Sequence, residues 1–377
     1  MHTPTRLIVP LTHLDRPLAA QAADAAAAGA DLLELRVDLI QDADAVAAFL
    51  RAGPPKPCIL TIRHASEGGG WDADDAERVA LYERLGLLSP GYIDVELSTW
   101  QRSSNLRQKL DLVCRRRGAA DSGGRARNEL ILSVHDFRSA DNAKAQWAAL
   151  CDSPATVRKL AATPRSAAEA IELLRLPGVS GDDAGALVVG MGEAGLLTRV
   201  LGRAVGMWGT FAALDEQSAS APGQITSERL RSEFRWAEID AQTPVFAVIG
   251  WPVAHSLSPR LHNAAMAAAG IAGVYVHAPT PPTEGDFESL MRAVKASAIR
   301  FAGFSVTIPH KEHAYRWLKK SGVGVSTWAE RCGAVNTLVR TREGWRGENS
   351  DGTGAVYALG HHPVFRRGSW LGRPVSV

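Results

Sequence analysis

The chain has 377 residues, enough for two domains, with 46% hydrophobic and 22% charged residues, an ordinary globular balance able to fill a sizeable core. A formal net charge of +2 gives no field that would draw it to nucleic acid or a membrane surface, so neither is expected as a partner. The four cysteines, Cys58, Cys114, Cys151 and Cys332, form no C-x-x-C pair, which argues against a zinc site or a disulfide framework and fits a reducing, cytoplasmic setting.

The N-terminus has too short an apolar run for a signal peptide, and no apolar stretch of roughly 18 residues occurs. Eight β-type runs precede residue 215: R-L-I-V-P-L (6–11), L-L-E-L-R-V-D (32–38), C-I-L-T-I-R (58–63), Y-I-D-V-E-L (92–97), L-I-L-S-V-H-D (130–136), T-V-R-K-L-A (156–161), L-V-V-G-M-G (187–192) and W-G-T-F-A-A (208–213). Segments of helical period separate most of them, as at 17–28, 43–51, 74–87 and 166–176. Several runs are almost continuously apolar, as parallel strands covered on both faces are. Eight such units in this length match a (β/α)8 TIM barrel. An open doubly wound sheet would need a Gly-rich loop after its first strand, and Leu11-Thr12-His13-Leu14 is not one. The Arg- and Gly-rich stretch 115–128 reads as a solvated helix end and loop, because no aromatics interleave its charges.

A helix over 227–238, capped by Thr226 or Ser227, closes the first domain, 1–240, and residues 240–244 form a very short linker. A second α/β pattern fills 244–377. It comprises V-F-A-V-I-G, a helix over 259–269, V-Y-V-H-A, a helix near 286–296, F-A-G-F-S-V-T-I-P, a helix over 310–320 and A-V-N-T-L-V-R.

Strand C-terminal ends line the active site of such a barrel. Polar residues gather there: Glu34, Arg36 and Asp38 after the second run, Arg63 and Glu67 after the third, Asp94 and Glu96 on the fourth, His135 on the fifth and Lys159 inside the sixth. A lysine on an inner strand is costly as a buried cation, and the neutral amine is the form that attacks a ketone to give an imine. Taken alone, Lys159 could snorkel to the rim, and His135 could be a packed core histidine. Together, on adjacent strands and expected at the same level, they point to imine chemistry with a general base. Arg36, Arg63 and Arg199 come from different strands and imply an anionic ligand, although each alone could be a rim salt bridge.

The motifs E-L-R-V-D (34–38), T-I-R-x-x-x-E-G-G (61–69), S-V-H-D-F (133–137), V-R-K-L-A (157–161) and S-A-P-G-Q (220–224) resemble type I 3-dehydroquinate dehydratases in order and spacing, from Leu7 to about Ile225. The resemblance implies that Lys159 forms a Schiff base with the C3 ketone. It implies that His135 takes the C2 proton and later protonates the departing C1 hydroxyl, with Glu67 orienting or charge-tuning it. Arg199 would hold the substrate carboxylate, and Glu34, Arg36, Arg63 and Gln224 its hydroxyls. Ser220 and Ala221 would belong to a lid. No metal or cofactor is implied. Another class I Schiff-base lyase or aldolase is the enzyme alternative on this barrel.

Further on, V-I-G-W-P-V-A-H-S-L-S-P (248–259), F-S-V-T-I-P-H-K (304–311), G-A-V-N-T (333–337) and G-E-N-S-D-G (347–352) resemble the substrate-binding domain of shikimate dehydrogenase. That resemblance implies Ser256 and Ser258 on the shikimate carboxylate, Thr307 and Asn336 on ring hydroxyls, and Lys311 with Asp351 as an acid–base pair. Such a dehydrogenase requires NADP on a following Rossmann domain. Here G-R-P-V-S-V (372–377) reads as that domain's first strand, with no Gly-rich turn after it, so this dehydrogenase domain is expected to be truncated and its Rossmann part missing. The expectation is a barrel that dehydrates 3-dehydroquinate. Its companion binds shikimate or 3-dehydroshikimate, and as the alternative is only a binding or interaction module without redox activity.

Overall fold

The computed structural model describes residues 5–115, 128–179, 184–217, 224–322 and 324–361. Among them, strands β1 (Arg6–Leu11), β2 (Leu32–Arg36), β3 (Cys58–Thr61), β4 (Gly91–Glu96), β5 (Glu129–Asp136), β6 (Val157–Ala162), β7 (Gly185–Gly190) and β8 (Gly209–Phe211) form one parallel sheet in the order β7-β6-β5-β4-β3-β2-β1-β8. The sheet's two ends meet where the Trp208 N–H donates to the Ala186 carbonyl at 2.7 Å, which closes the barrel. Each of the eight sequence runs becomes a strand whose ends shift by no more than two residues.

Local chemistry sets the helix starts between them. The Asp42 carboxylate accepts the Asp44 and Ala45 N–H groups before the helix Ala43–Arg51, and Ser166 accepts the Glu169 N–H before Ala167–Arg175. Strand alternation then sorts the side chains. Leu33, Leu35, Leu130, Leu132 and Leu160 join the core between strands and helices, while Leu32, Ile59, Ile131 and Val157 pack inside the barrel.

The helix expected over 227–238 is broken. It spans Ser227–Ser232 with Thr226 as its cap, and a 3-10 turn follows at Trp236–Glu238. Arg235 between them has φ of 50°, a left-handed kink that lets both Phe234 and Trp236 enter the core.

The second unit holds strands β9 (Val245–Gly250), β10 (Val274–Pro279), β11 (Phe301–Val306), β12 (Thr337–Arg340) and β13 (Trp345–Glu348), ordered β10-β9-β11-β12-β13. β9, β10 and β11 run parallel, and β12 and β13 add antiparallel. The helices at Thr327–Cys332 and Asp351–His361, and β13 itself, escape the sequence reading. The first helix has six residues and β13 four, too short to display a period, and the last helix buries no residue among those described. The helix Glu284–Ala296 of this unit packs against Ala167–Arg175 of the barrel. The expected loop at 116–127 and the run 372–377 lie outside the described residues.

Candidate active site

Inward-facing residues along each barrel strand are two apart. Above an apolar floor of Leu32, Ile59, Tyr92, Ile131 and Val157, the next inward residues are Glu34, Thr61, Asp94, Ser133 and Lys159. This polar layer is buried and internally satisfied. The Lys159 ammonium lies 2.7 Å from Asp94 Oδ2 and 3.4 Å from Glu34 Oε1, and 4.5 Å above the centre of the Phe211 ring. The Arg63 guanidinium donates to the other Asp94 oxygen at 2.8 Å and to Ser133 Oγ at 2.7 Å, and pairs with Glu96 at 3.2 Å. Thr61 Oγ1 donates to Glu34 Oε1 at 3.0 Å.

Burial opposes the charge on Asp94, but Arg63 and Lys159 outweigh it and hold the carboxyl well below its ordinary range. That stabilisation is present above the unfolded carboxylate range and is lost as pH falls below it. Asp94→Ala would leave Arg63 and Lys159 buried without their shared counter-charge. It should destabilise the fold by about 3–5 kcal/mol, read from urea unfolding at neutral pH.

His135 stands one inward step above Ser133 on β5. Lys159 pairs in register with Ser133, and His135 pairs with Ala161. The two functional groups are therefore offset along the strands, with the imidazole nearer the mouth, and not level as the sequence suggested. Glu67 reaches His135 from the 3-10 turn Ala65–Glu67 after β3. Its Oε2 lies 3.0 Å from His135 Nδ1 and accepts the His135 backbone N–H at 3.0 Å, while Oε1 accepts the Ser98 hydroxyl at 3.0 Å. An acceptor on both oxygens favours the proton on Nδ1, which leaves Nε2 as the free base. Burial pushes Glu67 up to about 7, and burial with the nearby Arg63 and Lys159 holds His135 well below its ordinary value. At 3.0 Å the two groups are close enough for their titrations to be coupled.

The glycines after Glu67 fix its approach. Gly68 has φ of 75°, and a Cβ there would meet the Phe137 ring at 2.3 Å; one on Gly69 would meet the Arg63 carbonyl oxygen at 1.9 Å.

The three arginines separate in kind. Arg36 forks onto Asp38 at 3.0 and 2.7 Å, and Arg63 is neutralised by Asp94 and Glu96. A joint anion clamp of three guanidiniums is therefore not what the fold builds. Arg199, also buried, donates to the Phe211 carbonyl at 3.1 Å and meets no carboxylate among the described residues. Burial lowers it to about 10, so it stays cationic at neutral pH with its charge uncompensated. It lines a pocket of about 510 Å³ together with Glu34, Glu67, His135, Lys159 and Gln224. Ser220 and Ala221 lie outside the described residues. Sequence reasoning missed Ser133, Thr61, Ser98 and Phe211. Strand alternation marks Ser133 and Thr61 as inward, but nothing in the sequence pairs Ser98 with Glu67.

In the second unit, Lys311 opens the helix Lys311–Ser321, and its Nζ lies 2.7 Å from Asp351 Oδ2. Asn336 donates to Asp351 Oδ1 at 2.8 Å and to Ser350 Oγ at 3.0 Å, which draws the start of β12 and the end of β13 together. The hydrogen bond from Lys311 holds Asp351 below its usual range. Thr307 follows β11, with its Cγ2 2.5 Å from where a Cβ on Gly250 would stand. Ser256 lies in the loop after β9, and its Oγ accepts the Ser258 N–H at 3.3 Å. Ser258 is the first helical residue and does not cap the helix Ser258–Ala268.

A closed eight-stranded parallel barrel carries a buried amine, an imidazole–carboxylate pair and a guanidinium that meets no carboxylate among the described residues at the C-terminal ends of its strands, where barrel enzymes place their active sites. The family profile "Type I 3-dehydroquinase" matches residues 7–241, and "Shikimate dehydrogenase substrate binding domain" matches residues 248–338. The chain belongs to the type I 3-dehydroquinase family, with a shikimate dehydrogenase substrate-binding domain behind the barrel. It is 32% identical over 338 residues to the chloroplastic bifunctional 3-dehydroquinate dehydratase/shikimate dehydrogenase of Arabidopsis thaliana, covering 88% of this chain and 52% of that protein. Over 117 residues it is 44% identical to the shikimate dehydrogenase (NADP(+)) of Acidiphilium cryptum, covering 31% of this chain and 40% of that protein. The chain thus spans about half or less of these relatives' length. The crystal structure of 3-dehydroquinate dehydratase from Geobacillus kaustophilus superposes with a TM-score of 0.51 at 25% identity, over 61% of this chain and 90% of that one. Among the described residues no helix is long and apolar enough to cross a membrane.

Proposed function

We propose that residues 1–240 dehydrate 3-dehydroquinate to 3-dehydroshikimate through an imine on Lys159, and that residues 244–377 bind shikimate or its ketone. The observation that carries the first reading is one pocket holding an amine, a base with its own carboxylate and a guanidinium that meets no carboxylate among the described residues. Lys159 first passes its proton to the neighbouring Glu34 carboxylate, and the amine attacks the C3 carbonyl; the proton then returns to the carbinolamine hydroxyl, which leaves as water and gives a protonated imine. Nε2 of His135 then takes the C2 proton, and the C–H electron pair runs into the imine to give an enamine. The enamine pushes out the C1 hydroxyl, which leaves as water with the proton from His135. A second water hydrolyses the imine and frees Lys159. Every step balances with this chain's own groups. We assign no metal or cofactor to it.

Arg199 holds the substrate carboxylate in this reading, and Glu34, Arg36, Arg63 and Gln224 face its hydroxyls. Ser220 is proposed to act from a lid. A hydrogen bond to a charged group is worth about 1.5–3 kcal/mol. Arg199→Ala should accordingly lower kcat/KM by roughly 10–150-fold, mainly through KM, in an assay following 3-dehydroshikimate absorbance. An unchanged KM would move the carboxylate elsewhere.

For the second unit, Lys311, Asn336 and Asp351 are proposed to face the substrate hydroxyls with Thr307, and Ser256 and Ser258 its carboxylate. The shikimate dehydrogenase relatives carry NADP in their name. Gly250, the glycine ending β9, packs against Thr307, and the turn after it, Trp251-Pro252-Val253, holds no further glycine. Among the described residues that turn does not fit a pyrophosphate cradle, and we assign the unit no hydride step. This favours reading the unit as a binding module within these residues. Shikimate titrated into the chain should bind saturably, and Lys311→Ala with Asp351→Asn should abolish that binding while leaving dehydration intact.

A further inference from the structure

The opposite, N-terminal end of the barrel carries a second cationic cavity that dehydration does not use. It is an open cleft of about 1170 Å³, solvent-filled mouth included, between the start of β1 and the turn Trp236–Glu238. Three guanidiniums line it: Arg6, Arg203 and Arg231. Arg6 lies 4.7 Å over the Trp208 ring, and Arg203 lies 5.1 Å over the Trp236 ring. Arg203 donates to the Ile239 and Thr5 carbonyls, and Arg231 to the Ala28 carbonyl. None of the three forms an ion pair with a carboxylate among the described residues. Stacking on indoles holds two of them in place without neutralising them. Trp236 also lines the cavity. One acid, Asp31, lines the cavity, and one of its oxygens is taken by the Leu7 N–H.

Three cations against one acid leave the cavity short of negative charge. We propose that it is a binding site for a small oxyanion, carboxylate or phosphate, held by Arg6, Arg203 and Arg231. The planar fork of arginine fits either group with paired hydrogen bonds. Arg203 and Trp236 also touch the segment that leads into the second unit, so a bound anion ties the barrel floor to that segment.

The test uses the full chain in low-salt buffer, with inorganic phosphate and succinate as probes, followed by thermal unfolding and calorimetric titration. At least one probe should bind saturably and raise Tm. That binding should persist in Arg199→Ala, which removes the cation at the catalytic end. It should weaken about tenfold or more in Arg231→Gln, an exposed position, and again in Arg6→Gln. Tighter binding of phosphate than succinate, or the reverse, assigns the ligand class. No saturable binding by either probe, binding lost in Arg199→Ala, or binding unchanged in both Arg231→Gln and Arg6→Gln overturns the site.

Discussion

Borohydride added with 3-dehydroquinate should fix substrate-derived mass on the peptide that contains Lys159, and Lys159→Ala should lose turnover by about 10⁴-fold or more. The argument rests on where the amine sits. Lys159 points inward because Val157 and Ala161, two residues to either side, pack in the barrel interior. Its nitrogen is held by Asp94 and Glu34 beneath a pocket open to the strand ends, with the Phe211 ring over it. A lysine kept as a structural ion pair would resist both substrate and reductant. Mass on another lysine, or an active protein that borohydride and substrate never inactivate, would remove Lys159 from the chemistry. Lys159→Arg separates the two roles further: it preserves the charge against Asp94, so it should fold as the wild type does and remain inactive.

His135→Ala should retain imine formation, still trappable by borohydride, while turnover falls by about 10²–10⁴-fold. One imidazole serves twice in the proposed cycle, first as base at C2 and then as acid at the leaving oxygen, so the upper part of that range is expected. Near-normal turnover would sink the assignment. The coupling to Glu67 gives a second readout. Removing the carboxylate facing Nδ1 takes away the anion that supports the imidazolium. In Glu67→Gln the acid limb of the kcat/KM profile should therefore move to lower pH. With Glu67 itself pushed up to about 7, the wild-type limb belongs to the pair and not to either residue alone. A limb that stays in place would show that Glu67 only positions the turn after β3.

Much of this protein is legible in its sequence because the signals are local. Near-continuous apolar runs at regular spacing marked all eight barrel strands. The rule that strand C-terminal ends line a barrel's site gathered Glu34, Lys159 and His135, and the ordered motifs pointed to the family before any contact was known. Helical period marked 43–51 and 166–176, and the fold begins those helices behind the caps Asp42 and Ser166. Where a segment was short, the local signal faded. β13 and the helix Thr327–Cys332 are too brief for a period to register, and the helix over 227–238 broke because the two aromatics flanking Arg235 both found a core to enter.

What the tertiary structure alone decided is the partnership of charges. From the residues alone, Arg36, Arg63 and Arg199 together implied an anionic ligand, and only the resemblance gave the carboxylate to Arg199. Folding pairs Arg36 with its neighbour Asp38, and Arg63 with Asp94 and Glu96 from the next strand, and leaves Arg199 facing a carbonyl. The same holds for register. Lys159 and His135 are on adjacent strands by sequence, but the parallel pairing of β5 with β6 sets the lysine opposite Ser133 and the histidine one inward step higher. It is equally so for Arg6, Arg203 and Arg231, which are far apart along the chain and share one cavity. A charge's state depends on which groups lie within a few ångströms of it, and that distance comes from closing the barrel, not from spacing along the chain.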